Sequence, residues 1–185
     1  MTRYARRVHI VVDHLWDGTP ATPAERITLD LRARHGALEL EIDAPFHGDP
    51  APLTAPGRVP GLWNFEVVEL FLHAPADRYL EIELGPRGHW LALQLQGVRN
   101  VVDAHVTIAF VAEIDAHRWR GRATIPAAIL PPGLGHWNAH AIHGQGEARR
   151  YLSALPARGA RPDFHRPDVT AALDPALLRD MSSGT

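Results

Sequence analysis

Three glutamates stand in runs that otherwise read as strands. Glu69 lies in VVELFLHA between Val68 and Leu70, and Glu81 and Glu83 lie two residues apart in YLEIEL. Read with the two-residue period of a strand, Glu69 shares a face with Val67 and Phe71, and Glu81 and Glu83 share one with Tyr79. Carboxylates on neighbouring strands can accept hydrogen bonds from a ligand, act as general acid and base, or offer hard oxygens to calcium. In a shared site their repulsion pushes a pKa upward. The competing reading is a solvated charge ladder in which Arg99, Arg120 or Arg122 pairs with them. Glu69, with apolar residues on both sides, fits that ladder least.

Trp63, Trp90 and Trp119 add aromatic faces that could stack on sugar C–H groups, with Gln94, Arg99 and Glu81 binding the hydroxyls. The same rings could instead plug a core, Trp119 above all, because it alternates with Ala123 and Ile125. His140, His143, Asp163 and His165 make a second cluster. The spacing of three in His-x-x-His sends two strand residues to opposite faces, so it is no zinc motif by itself. His143, Asp163 and His165 could still converge from separate segments on a metal. Either histidine could also exchange protons with Glu69 or Glu81.

The elements that must position these residues are mostly strands. Residues 7–16 open the chain with β-branched residues, and 26–34 and 37–42 alternate around a His35-Gly36 turn as a hairpin. Residues 44–60, with five prolines and no periodicity, form a long loop. The three central runs follow. If they pair as neighbours, one face carries Glu69, Glu81, Glu83, Trp90 and Gln94 above a leucine-rich core. Residues 106–114 place Val106, Ile108, Phe110 and Ile114 inward, and 118–125 turn Arg118, Arg120 and Arg122 outward. A helical turn is expected at 126–130, where Pro126 suits a first position, and a last strand at 137–143. About nine strands with little helix imply an all-β, single-domain antiparallel β-sandwich, jelly-roll-like. Residues 6–143 would form the core of the domain 1–185, and 144–185 a loop-rich segment with a short helix at 174–181.

Composition narrows the function classes. A chain of 185 residues with 45% hydrophobic content suits one domain with a substantial core. The net charge is -2 and the bases are scattered arginines with no lysine, so nothing tracks nucleic-acid phosphates. Apolar runs stay below the roughly 18 to 20 residues that span a bilayer, and the amino-terminal stretch lacks a signal-peptide pattern. Without cysteine there are no disulfides, thiolate nucleophiles or Cys-ligated metals. A cytoplasmic location fits best. No glycine-rich phosphate loop or serine nucleophile elbow is present.

The succession GLWNFEVVELFL, YLEIELGPRGHWLALQLQG, VRN, WRGRATIP, AIHG and PDFHR resembles a family of short, uncharacterised proteins related to carbohydrate-binding module family 9 and to DOMON-like domains. The resemblance runs from about Gly61 to Arg166 and implies a β-sandwich. Better-studied relatives hold sugar ends between tryptophans, often with calcium nearby, or hold haem between Met and His. The two methionines here, Met1 and Met181, are both terminal, which disfavours the haem arrangement.

These readings combine into one expectation. A small polar ligand, a sugar or sugar-like metabolite, binds on the face or rim built from Trp63, Glu69, Glu81, Glu83, Trp90, Gln94 and Arg99, with no obligatory cofactor though calcium is possible. The first alternative is an enzyme using Glu69 or Glu81 with His143 or His165. The second is an interaction module that pairs through its strand edges.

Overall fold

The structure, a computed structural model, describes residues 7–34 and 36–182, so His35 of the expected hairpin turn lies outside the described residues. Its strands in chain order are β1 (Arg7–Val12), β2 (His14–Leu15), β3 (Ile27–Arg34), β4 (Ala37–Pro45), β5 (Gly57–Arg58), β6 (Val67–Ala74) and β7 (Arg78–Leu84). Then come β8 (His89–Gln96), β9 (Val101–Asp103), β10 (Ala109–Asp115), β11 (Arg118–Pro126), β12 (His136–His143), β13 (Arg150–Ser153) and β14 (Ala171–Ala172). Helix α1 (Pro175–Ser182) follows, with the Ala176 amide donating to the Asp174 carboxylate at its start.

Two sheets face each other. The first has the order β1-β3-β4-β11-β10 and is antiparallel throughout. The second runs β2-β13-β12-β6-β7-β8-β5, with β14 beside β12 and β9 beside β8. Its pairs are antiparallel except β5 with β8. Strict alternation builds the layer between the sheets. Leu29 and Leu31 of β3, Leu38 and Leu40 of β4, and Ala123 and Ile125 of β11 meet Leu70 and Leu72 of β6, Leu80 and Ile82 of β7, and Ala139 and Ala141 of β12. Each buried Leu or Ile removes enough apolar surface from water to contribute roughly 1.5–3 kcal/mol. Trp119 lies in the same layer, and the arginines that alternate with it point outward, Arg118 and Arg120 toward Asp43.

Two expectations are corrected. Strand β10 begins at Ala109; Val106 and Ile108 are buried from the preceding loop, whereas Ile114 is exposed. The reason is position, since β10 is an edge strand and its last three residues are all exposed. The segment after residue 143 is more than loop and helix: it supplies β13 and β14, and Leu152, Leu173 and Leu177 enter the main core.

Every residue of β6 from Val67 to His73 is buried. A half-solvated strand would bury only alternate residues. Here the outer face of the second sheet is covered too, by a second apolar cluster of Leu62, Phe71, Tyr79, Leu91, Leu93 and Ile142, against which Tyr151 and Phe164 pack. The carboxylates lie within that covered face.

Candidate functional site

Antiparallel register assembles the acids row by row. Glu69 on β6 stands opposite Glu83 on β7 and His140 on β12, while Glu81 stands opposite Phe71 and Leu93. Opposed side chains start only about 4.5–5.5 Å apart at Cβ. Oxygens of Glu69, Glu81 and Glu83 therefore come within 4.8 Å of one another. The three are 2%, 5% and 0% exposed, and neither oxygen of Glu83 has a hydrogen-bond partner. The charge ladder with Arg120 and Arg122 does not form, because those arginines belong to the other sheet.

Burial pushes all three acids toward the neutral form. Glu81 rises to about 7, with Arg99 pulling weakly against the desolvation. Glu69 and Glu83 rise well above the usual carboxylate range through desolvation first and repulsion from neighbouring glutamates second. The Trp63 amide pulls Glu83 slightly downward without making a hydrogen bond of normal geometry. Two such charges 4.8 Å apart would repel by ~3 kcal/mol at an effective dielectric of 20.

A cleft of about 370 Å³ opens over this face, with Glu69 and Glu81 on its floor and Trp63 at the rim. Leu93 and Leu95 line one flank, and Tyr151, Asp163, Phe164 and His165 the other. Trp63 remains 45% exposed on a short 3-10 turn, Leu62–Asn64, entered through the left-handed Gly61 (φ 73°). Its carbonyl accepts a bond from Arg149. Arg99 also adopts a left-handed conformation (φ 58°), uncommon for a residue with a side chain. There its amide donates to Tyr79 Oη at 3.0 Å and its guanidinium pairs with Asp163 at 2.6 Å.

Tyr79 and His165 are joined directly. Tyr79 Oη accepts from the Arg99 amide and shares one hydrogen with His165 Nδ1, 2.7 Å away. His165 Nε2 faces Glu81 at 4.0 Å. Burial first, then the nearby Arg99, lowers the His165 pKa to about 4, so the ring is neutral near pH 7. His140 is fully buried, stacked on Phe164 with 4.0 Å between ring centroids, and has no partner at either ring nitrogen.

Of the residues expected to form one face, Trp63, Glu69, Glu81 and Arg99 line the cleft and Glu83 stands beside the two floor acids. Trp90 and Gln94 do not. Strand β8 pairs Leu91 with Glu83 and Leu93 with Glu81, so its leucines share the acid face. Trp90, half-buried, packs against the inter-sheet core instead, and Gln94 donates to the Ile129 carbonyl at 2.9 Å. Trp119 is a core residue. His143 also lies away from the cleft. It stacks on His47 with 3.6 Å between ring centroids and contacts Glu25, so it does not join Asp163 and His165, which remain together by the cleft. As His140 and His143 are three apart on β12, alternation had to separate them. Sequence reasoning missed Tyr151 as a cleft residue. Its strand, RYLS, is only four residues long, and it is the pairing of Tyr151 with Ile142 that puts the two on one face.

The fold is a β-sandwich of the type seen in family 9 carbohydrate-binding modules. A candidate carbohydrate-binding protein from Bacteroides uniformis superposes with a TM-score of 0.70 at 18% identity, over 91% of this chain and 85% of that one. A family 9 carbohydrate-binding module from Caldicellulosiruptor kristjanssonii, solved with cellotriose, gives 0.50 at 14% identity over 73% and 68%. By sequence, the chain belongs to the UPF0462 family. It is 37% identical over 164 residues to the UPF0462 protein C4orf33 homolog of Danio rerio, covering 84% of this chain and 83% of the relative. With the Homo sapiens protein C4orf33 it shares 37% over 163 residues, 83% and 81% of the two chains. No family model matches the sequence.

Proposed function

We propose that the protein binds a small polar ligand of the sugar class in the cleft over the second sheet. The observation that carries this reading is that one cleft of about 370 Å³ joins an exposed ring at its rim, Trp63, to hydroxyl-binding groups within, Glu81, Arg99 and Asp163. Aromatic faces supply apolar contact to sugar C–H groups while a few fixed polar groups orient the hydroxyls. The cellotriose complex of the family 9 module supports the same ligand class through the shared fold. An acid–base enzyme is less well supported, because Glu81 and His165 are 4.0 Å apart, beyond hydrogen-bond reach, and His143 faces elsewhere.

The test is thermal melting against a panel of free sugars and sugar phosphates, followed by calorimetry on any that stabilise. Trp63→Ala is expected to weaken binding about five- to tenfold, the worth of one aromatic contact of about 1–1.5 kcal/mol, with the fold retained. Trp90→Ala is expected to lower the melting temperature without changing affinity per folded molecule. Unchanged affinity in Trp63→Ala would remove the cleft from consideration.

A further inference from the structure

We propose that Glu69, Glu81 and Glu83 form a calcium site at the floor of the cleft. Three carboxylates offer six oxygens, and oxygens from all three already lie within 4.8 Å of one another. That separation is the span across a cation coordinated at about 2.4 Å, inside the 2.3–2.6 Å range of calcium. Among the described residues no arginine forms an ion pair with the cluster, and Arg99 and Arg149 act on Glu81 and Glu69 only from a distance. Arg99 is committed to Asp163, and Arg149 donates to the Trp63, Asn64 and Gly144 carbonyls.

The second observation is independent of the clustering. Glu83 is fully buried, aimed into the group, and both of its oxygens lack a hydrogen-bond partner. Buried polar atoms are ordinarily satisfied, and an orphaned carboxylate points to a missing ion or proton. An all-oxygen set favours a hard cation. Magnesium demands near-octahedral geometry and retains its waters, whereas calcium accepts bidentate carboxylates. Glu69 and Glu81 border the cleft, which provides the entry path and leaves the ion's outer side open. If the sugar reading above holds, ligand hydroxyls would complete the coordination there; the cation site itself does not rest on that reading.

The experiment uses chelator-treated full-length protein and no sugar. Calorimetric titration with calcium is expected to give one site, with a rise of several degrees in melting temperature that chelator reverses. Terbium luminescence sensitised by Tyr79, which shares the face with Glu81, should appear and be displaced by calcium. Glu83→Gln and Glu69→Gln, close to the native shape, should each lose at least tenfold in calcium affinity while melting no lower than wild type in chelator. Absence of both calcium heat and sensitised emission at millimolar ion overturns the proposal, as does unchanged calcium affinity in a folded Glu83→Gln protein. Tight manganese or magnesium binding with calcium rejected overturns the choice of ion. A sugar panel that fails while calcium binds would leave the cation site standing and remove only the ligand reading.

Discussion

Tyr79 shows how one hydroxyl orders a wall of the cleft. It accepts from the Arg99 amide and hydrogen-bonds His165 Nδ1, so it ties the turn after β8 to the segment carrying Phe164. Tyr79→Phe keeps the ring but leaves two partly buried groups unpaired, and the expected loss is about 1–2 kcal/mol, read by urea denaturation. Ligand affinity should fall as well, since Arg99 and His165 would no longer be held. The residue types at this site were legible early. An aromatic ring, an arginine and three acids are what polar-ligand binding requires, and Glu69 between apolar neighbours signalled burial. Tyr151 was not legible, because four residues are too few for alternation to show.

At the scale of the element, β11 illustrates a packing decision. Gly121 faces the core between Trp119 and Phe110, and a Cβ there would lie 2.9 Å from both rings. The glycine thus makes room for a buried indole. Gly121→Ala should cost about 1–3 kcal/mol by overpacking, visible as a lowered denaturation midpoint with an unchanged slope. Strand β8 is the opposite lesson. HWLALQLQ looks amphipathic with its leucines as the core side, yet the leucines meet the acids and Trp90 meets the true core. Alternation defines two faces of a strand but does not say which one a neighbour will share. On a sheet covered on both sides, apolar character no longer distinguishes them.

For the whole molecule, the buried titratable groups predict a stability maximum between about pH 6 and 7. Burial lowers His73 to about 4, aided by His136, and lowers His143 to about 4, aided by His47. The unfolded chain binds these protons from about pH 6.5 downward and the folded chain does not, so their contribution is lost as pH falls from about 6.5 toward 4. Glu25 adds to the acid limb. Burial opposes its ionisation, but hydrogen bonds from Arg150 and Thr22 outweigh that and hold it at about 2. Its contribution is lost as pH falls from about 4.5 through 2. The sign reverses for Glu81: its folded-state pKa of about 7 means that stability present at low pH is lost as pH rises from about 4.5 through 7. Glu69 and Glu83, raised well above the usual carboxylate range by burial, extend that loss to higher pH, so melting curves from pH 4 to 9 should fall on both sides and Glu83→Gln should reduce the alkaline fall. A monotonic profile would contradict the buried states of these groups.

Among the described residues no helix is long and apolar enough to cross a membrane. The sequence by itself determined the all-β sandwich, the hairpin of β3 and β4, the inward course of β11 and the residue types of the site, because each rests on local alternation and turn chemistry. Only the tertiary structure decided that Glu69, Glu81 and Glu83 share one buried cluster, that Trp90 and Gln94 turn away from it, and that residues 150–165 close its wall. Those outcomes depend on the pairing register between strands and on which distant segment covers a face, and neither is encoded in the period of any single strand.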